Sequence, residues 1–163
     1  GNTGIKIKQR KIKRDVLIQT EAALRAGEHE VFAIWSAENI KADVIEELVV
    51  DSCIVPAQTP GVTAEGVWVH IEGCELQRIQ LDNFRAGRRS MIQLHTHPSA
   101  DVRMSNLDRA WEVVRHVGAL SIIVPHYCRF GLQLGTSANI YEREEDDWRL
   151  WSTSEARERL VVV

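Results

Sequence analysis

The stretch that decides the fold is Leu94-His95-Thr96-His97-Pro98-Ser99-Ala100-Asp101-Val102-Arg103-Met104-Ser105-Asn106-Leu107-Asp108. The residues just before it, 90–94, predict a strand that runs into the two histidines. Because side chains alternate faces along a strand, His95 and His97 point the same way. Two imidazoles so placed can both bind one cation, at about 2.0–2.1 Å per zinc–nitrogen bond. Pro98 ends the strand, since proline cannot donate to the ladder.

The third ligand of this predicted metal site is Asp108. Ser105 is typical of a helix cap, which places Asp108 in the first turn of a helix that begins at Asn106. From there the carboxylate can turn back toward the histidines. Two nitrogens and one oxygen leave a fourth position for water, which is the ligand count of a catalytic zinc site. The pair Ser105-x-x-Asp108 also resembles a capping box, which commonly does no more than start a helix.

The run His95-Thr96-His97-Pro98, six residues, then Ser105-x-x-Asp108 resembles the signature of the JAMM (JAB1/MPN+) metalloprotease family. The resemblance implies an α/β fold with a mixed curved β-sheet flanked by helices, a cytidine-deaminase-like (JAB/MPN) three-layer sandwich. It also implies one Zn²⁺ per chain, held by His95, His97 and Asp108. The order of predicted elements is similar to that of a single JAB/MPN domain over residues 1–163. The deaminases themselves are an alternative zinc chemistry, but their P-C-x-x-C piece is absent.

A metalloprotease of this kind needs a general base, which takes a proton from water and passes it to the leaving amine. The resemblance implies that this base is a glutamate before the first central strand, in a pattern E-x-x-G-x-L-x-G. Glu30 stands in the matching position, but the two glycines are replaced by Ala33 and Ser36. We therefore take Glu30 as the base and Glu28 as the alternative. Ser105 is expected to donate a hydrogen bond to the developing oxyanion.

Composition and charge bound the class of protein. The 163 residues suit one domain, and the 44% hydrophobic and 26% charged fractions are ordinary for a soluble globular protein. The net charge of −3 does not indicate an overall basic surface for nucleic acid. No apolar run approaches the roughly 20 residues that span a bilayer. The three cysteines show no C-x-x-C spacing, so a cysteine zinc site is not expected. We expect a cytoplasmic protein that binds neither nucleic acid nor membrane.

Hydrophobic periodicity predicts the elements around the motif. The basic segment 5–14 is interpreted as an edge strand or, alternatively, as an arm for an acidic partner, and residues 1–4 are set aside as an expression remnant. His126 follows a predicted strand and could approach the site, although a structural role is favoured. The other expectations are a helix over 16–25, one long or bent strand over 44–56, a turn at 58–61, a helix or a strand over 75–89, a helix with apolar positions from 107 to 117, and a strand over 119–125.

The resemblance implies an isopeptidase that cleaves the amide after the C-terminus of a ubiquitin-like protein or of its conjugate. Compact domains of this kind look like bacterial JAB proteins found beside E1- and E2-like enzymes, some of them in antiviral defence systems. Two alternatives stay open at this point. One is a JAB hydrolase of a small sulfur-carrier or metabolite adduct, which would use the same site. The other is a catalytically silent MPN scaffold, against which the intact ligand set argues.

Overall fold

The computed structural model describes residues 5–63, 66–110 and 113–163, so that the segment 1–4 lies outside it. In this part of the chain the helices are α1 (Arg14–Leu24), α2 (Gly73–Ala86), α3 (Asn106–Ala110) and α4 (Thr153–Arg159). The strands are β1 (Lys6–Ile12), β2 (Phe32–Glu38), β3 (Val44–Val50), β4 (Ser52–Ile54), β5 (Thr59–Thr63), β6 (Gly66–His70), β7 (Arg88–Thr96), β8 (Leu120–Val124), β9 (Asn139–Arg143), β10 (Trp148–Leu150) and β11 (Leu160–Val162). None of these helices is long and apolar enough to cross a membrane.

The candidate site is carried by a mixed sheet with the strand order β10-β9-β8-β7-β2-β4. Strand β7 lies parallel to β8 and antiparallel to β2, and its residues from Met91 to Thr96 are buried. The register pairs His95 with Phe32, the first residue of β2. Glu30 therefore precedes the strand beside β7, at the end of the sheet where the histidines lie.

Helices cover both faces of this sheet. On one face the main core joins Leu24 of α1 to Trp35 of β2, whose indole nitrogen donates to Thr20 Oγ1 at 2.7 Å. On the other face a second cluster joins Ile34 of β2 to Ile79 of α2. The predicted α/β class, a mixed β-sheet with helices in layers on both faces, is confirmed.

Strand β1 is the middle strand of a second sheet with the order β11-β1-β3, in which every pair is parallel. The prediction of an edge strand is therefore wrong. The lysines that suggested an exposed edge, Lys8 and Lys11, lie 3.0 and 2.9 Å from the carboxylates of Glu46 and Glu47 on β3. Cross-strand charge pairing on the solvent face thus explains Lys8 and Lys11, although such exposed pairs contribute little stability.

Two predictions between residues 44 and 61 are wrong because the chain changes sheets there. Strand β3 pairs with β1, whereas after Asp51 the short strand β4 pairs with β2 in the central sheet. Residues 59–61 are not a turn but the start of β5, which pairs with β6. Glycine at position 61 leaves room for the indole of Trp68, which a Cβ there would overlap.

The two helix predictions around the motif have different outcomes. Residues 73–86 form helix α2, which Gly87 ends in the left-handed conformation at φ 66°. The predicted helix over 107–117 is wrong beyond Ala110 in the described residues, since 113–117 are not helical. Gln93 Oε1 accepts hydrogen bonds from the N–H groups of Val113 and Val114, at 3.3 and 2.9 Å, so this segment is tied to β7 instead. Positions 111 and 112 lie outside the described residues.

Candidate metal centre

The end of strand β7, which His97 directly follows, and helix α3 bring the three predicted ligands together. Nε2 of His95 and Nε2 of His97 lie 3.1 Å apart. The Asp108 carboxylate meets both rings, with Oδ1 3.2 Å from His95 Nε2 and Oδ2 3.2 Å from His97 Nε2. All three side chains are largely buried. The alternation of side chains along a strand thus brings both imidazoles to the helix that carries the carboxylate.

The spacing of these atoms fits a tetrahedral metal ion. With bonds of about 2.0–2.1 Å, neighbouring ligand atoms of a tetrahedron lie about 3.3–3.4 Å apart. The separation of the two imidazole nitrogens, 3.1 Å, is close to that value, and one ligand atom from each of the three residues lies within 4.8 Å of the others. Two imidazole nitrogens and a carboxylate oxygen are also donors that zinc and related divalent ions accept. The residues present therefore fit a divalent metal ion.

The two histidines are held in different ways. His97 Nδ1 lies 2.8 Å from the carbonyl oxygen of Asp101, so Nδ1 carries the hydrogen and leaves Nε2 as the ligand atom. The ring of His95 stacks on Phe32, with centroids 6.5 Å and planes 18° apart. Its Nδ1 is buried and has no hydrogen-bond partner in the described part of the chain. Packing therefore orients His95, whereas a hydrogen bond orients His97.

Ser105 and Asp108 form a reciprocal pair at the start of α3. The N–H of Ser105 donates to Asp108 Oδ2 at 2.9 Å, and the N–H of Asp108 donates to Ser105 Oγ at 3.0 Å. The capping-box alternative is thus present, and the same bonds fix the carboxylate that faces the histidines. Neither bond uses the hydroxyl hydrogen of Ser105, so it is available for the predicted oxyanion contact. That catalytic role stays a prediction.

The electrostatics of the triad favour a charged carboxylate. Burial acts to raise the pKa of Asp108, but hydrogen bonds with His95 and His97 outweigh it and hold that pKa well below its usual range. Burial acts to lower the pKa of His97, but the contacts with Asp108 and with the Asp101 carbonyl raise it overall. The metal-free site thus holds a negative charge that attracts a cation, and protons compete with a metal at His97.

Glu30 is buried close enough to the triad to interact with its charges. Only 7% of its surface is exposed. Burial raises the pKa of Glu30 to about 7, while the charge of His97 acts to lower it and that of Asp108 to raise it. Glu28, in contrast, has 86% of its side chain exposed and lies 3.7 Å from the guanidinium of Arg129. This contrast favours Glu30 as the base, and the assignment stays a prediction.

Sequence reasoning missed the residues that anchor the loop between His97 and Asp108. The hydroxyl of Tyr141 accepts a hydrogen bond from the N–H of Met104 at 3.1 Å. Both side chains belong to a buried cluster that also contains Trp148. The two partners are separated by 37 residues in the chain, so no local pattern joins them. Only the polar tip of an otherwise buried tyrosine could have suggested such a contact.

Comparisons with known proteins bear on the family. No protein-family model matches the chain. The chain is 31% identical over 121 residues to the probable metalloprotease y4jG of Sinorhizobium fredii, and the match covers 72% of each sequence. A solution structure of a protein from Desulfitobacterium hafniense shares the fold, with a TM-score of 0.59, 11% identity and coverage of 95% of this chain and 93% of that one. A JAB1/MPN domain protein from Archaeoglobus fulgidus aligns with a TM-score of 0.49 and 22% identity, over 95% of this chain and 98% of that one.

The similarity to a probable metalloprotease and the arrangement of the triad point to the same chemistry. A relative at 31% identity over 72% of the chain carries that description. In the described residues, His95, His97 and Asp108 form a cluster that can hold a metal ion. Together these findings support a metal-dependent peptidase. The chain belongs to the JAMM (JAB1/MPN+) metalloprotease family.

Proposed function

We propose that this protein is a zinc-dependent isopeptidase, which cleaves the amide after the C-terminus of a ubiquitin-like protein or of its conjugate. The observation that carries the proposal is the convergence of His95, His97 and Asp108 beside the buried carboxyl of Glu30. The setting would be the bacterial cytoplasm, in a conjugation system with E1- and E2-like enzymes such as those of antiviral defence.

In the proposed reaction, Glu30 transfers one proton from the water to the leaving amine. When bound by the triad, a zinc ion supplies Lewis acidity, which brings the pKa of water from 15.7 to about 7. The Glu30 carboxylate accepts the proton as the water oxygen attacks the amide carbonyl carbon. In the metal-free protein, burial raises the pKa of Glu30 to about 7, and this upward direction favours a side chain that can hold the proton and release it again. It then donates the proton to the leaving amine nitrogen as the carbon–nitrogen bond breaks.

Ser105 is proposed to stabilise the negative charge that develops on the carbonyl oxygen. Its Oγ already accepts the N–H of Asp108, which fixes the hydroxyl oxygen next to a metal-ligand carboxylate. Its hydroxyl hydrogen can donate to the oxyanion. Loss of one such donor typically costs about 10²–10³ in rate.

The family and the complete ligand set support an enzyme rather than a catalytically silent scaffold. A catalytically silent scaffold has no need of three converging ligands, yet His95, His97 and Asp108 are all present and within reach of one ion. A small sulfur-carrier or metabolite adduct would be hydrolysed at the same site. Only identification of the substrate therefore distinguishes the two enzymatic alternatives.

Two matched fusions test the proposal. One carries a bacterial β-grasp ubiquitin-like protein joined through its C-terminal residue to a fluorescent protein, and the other has the last residues before the junction scrambled. Zinc-loaded enzyme should cleave the first fusion and spare the second. Glu30→Gln should bind zinc and cleave neither, whereas the matched control Glu28→Gln should cleave like the wild type. Equal cleavage of both fusions would overturn the substrate class, and an active Glu30→Gln would overturn the base.

A trapping experiment would identify the natural substrate. Zinc-loaded Glu30→Gln is passed through lysate of the native host, and retained material is identified by mass spectrometry. A matched Glu30→Gln/His95→Ala protein controls for binding that does not need the metal. Retention of a β-grasp protein by the first protein alone supports the proposal, whereas retention of only a low-molecular-mass adduct would move the assignment to the sulfur-carrier or metabolite class.

A further inference from the structure

Three consecutive non-glycine residues adopt left-handed backbone conformation directly after β8. His126, Tyr127 and Cys128, here called the left-handed turn, have φ values of 54°, 51° and 61°. In this conformation the Cβ comes too close to the following carbonyl oxygen, so residues other than glycine adopt it rarely and then singly. Such strain persists only where contacts with the surrounding structure fix the backbone conformation, and it is concentrated at functional sites.

The left-handed turn holds the main chain of the metal ligand His97. The N–H of Tyr127 donates to the carbonyl of His97 at 2.9 Å, and the N–H of His126 donates to the carbonyl of Ser99 at 3.1 Å. The N–H of His97 itself donates to the carbonyl of Val124 at 2.8 Å. Because φ and ψ set the direction of each N–H group, an ordinary turn would aim these donors elsewhere. Both peptide groups of the ligand are thus fixed by β8 and the turn that follows it.

Helix α1 braces the left-handed turn from its other side. Arg25 Nε donates to the carbonyl of Cys128 at 2.9 Å. Slightly further along, Glu21 Oε1 accepts the N–H of Leu132 at 3.0 Å. The side chain of Cys128 is fully buried in the main core that also contains α1. The turn is therefore held between α1 and the loop of the metal ligands.

We infer that Arg25 is a positioning residue for the metal centre, which acts through the left-handed turn on the backbone of His97. The inference rests on the metal centre proposed above. It adds a residue that precedes the JAMM motif by 70 positions and touches none of its ligands. If the turn only connected β8 to β9, loss of the Arg25 contact would alter stability without altering the ligand geometry.

Cobalt binding tests this inference without any substrate. Co²⁺ affinity is measured by competition with a chelator, and the visible absorption bands report the geometry of the bound ion. Arg25→Met keeps the aliphatic chain and removes the donor, and we expect Co²⁺ binding to weaken by up to about tenfold, the lower end of what loss of a direct partner of a metal ligand costs. Arg25→Lys keeps a donor and should recover most of the affinity. The matched control Arg14→Met removes the same charge from the exposed start of α1 and should bind like the wild type.

Thermal unfolding of the metal-free proteins separates positioning from folding. Cooperative unfolding of Arg25→Met together with weakened binding and shifted Co²⁺ bands supports the inference. If Arg25→Met does not fold, Arg25→Gln provides a polar variant that is too short to reach the same carbonyl, with the same expected loss. Wild-type affinity and wild-type bands in a folded Arg25 variant would overturn the positioning role and leave the metal centre intact. Failure of the wild type itself to bind Co²⁺ would overturn the metal centre, and the inference with it.

Discussion

Thr96 and Val31 are joined by two hydrogen bonds. Thr96 Oγ1 accepts the N–H of Val31 at 3.0 Å, and the N–H of Thr96 donates to the carbonyl of Val31 at 3.2 Å. Thr96 is the last residue of β7 and lies between the two candidate ligand histidines in the chain, and Val31 directly follows Glu30. The contacts therefore join the segment of the candidate base to the strand of the candidate ligands, in a place where Thr96 is fully buried.

Thr96→Val should impair catalysis more than metal binding. The substitution keeps the shape but leaves the buried N–H of Val31 without its acceptor, which costs about 1–3 kcal/mol of stability. A shift of the Glu30 segment should lower kcat roughly ten- to hundredfold, since small misplacements of a catalytic group are costly, with Co²⁺ affinity nearly unchanged. Urea unfolding, kcat and Co²⁺ titration measure the three effects. Thr96→Ser keeps the acceptor and should restore kcat, and a Thr96→Val enzyme with full kcat would refute the coupling.

Glu30→Gln should stabilise the metal-free protein at alkaline pH. Burial raises the pKa of Glu30 from its ordinary 4.5 to about 7, so the folded state binds more protons than the unfolded state between these values. The stability that this group provides is fully present below pH 4.5 and is lost as the pH rises through 7. At about 1.4 kcal/mol per pKa unit, the loss reaches at most about 3.5 kcal/mol by pH 8.

Urea unfolding at two pH values checks this prediction. Glu30→Gln should be more stable than the wild type at pH 8 and nearly equal to it near pH 5. The exposed Glu28→Gln should change stability little at either pH. A wild type that is as stable as Glu30→Gln at pH 8 would show that Glu30 is not buried as a charged group.

Local rules were sufficient to predict how the three candidate ligands are brought together. Alternation along a strand placed His95 and His97 on one face, and the cap at Ser105 placed Asp108 in the next helical turn. The structure bears out both placements. Each of these placements spans only a few residues, so the local backbone geometry determines it.

The features that the sequence did not predict depend on contacts between residues that are far apart in the chain. The central position of β1 depends on β3 and on β11 near the C-terminus, and no pattern within 5–14 specifies those neighbours. The left-handed turn contains none of the glycines that usually mark positive φ, so its conformation reflects contacts with Arg25 and His97. The short α3 likewise reflects Gln93, which binds the N–H groups of residues 113 and 114.

Metal affinity should fall on acidification. The contacts with Asp108 raise the pKa of His97 above its ordinary 6.5 in the metal-free site, despite burial that acts to lower it. Since a protonated imidazole cannot bind a metal, each pH unit below that pKa should cost up to about tenfold in apparent Co²⁺ affinity. Titrations between pH 5 and 8 measure the slope. Asp108→Asn should weaken binding and move the fall in affinity to lower pH, and an affinity independent of pH would exclude His97 as a ligand.

The Tyr127→Gly variant should be more stable to unfolding than the Tyr127→Ala variant. Both Tyr127→Gly and Tyr127→Ala lose the ring, but only alanine retains the Cβ clash, which costs roughly 1–2 kcal/mol in left-handed backbone. Glycine loses more chain entropy on folding, so we expect a net advantage of about 1 kcal/mol in the free energy of unfolding. Ala22→Gly in the exposed last turn of α1 provides the opposite control and should lose up to about 1 kcal/mol. An alanine variant as stable as the glycine variant would mean that Tyr127 is not strained.

Zinc content measured together with cleavage is the most direct test of metal-dependent peptidase chemistry at the triad. The proteins are loaded with zinc, freed of excess metal and analysed by plasma mass spectrometry, and the same samples are assayed on the ubiquitin-like fusion. We expect one zinc per chain in the wild type and in Glu30→Gln, far less in His97→Ala, and cleavage by the wild type alone. Full zinc content in His97→Ala, or undiminished cleavage by metal-free wild type, would contradict metal-dependent peptidase chemistry at the triad.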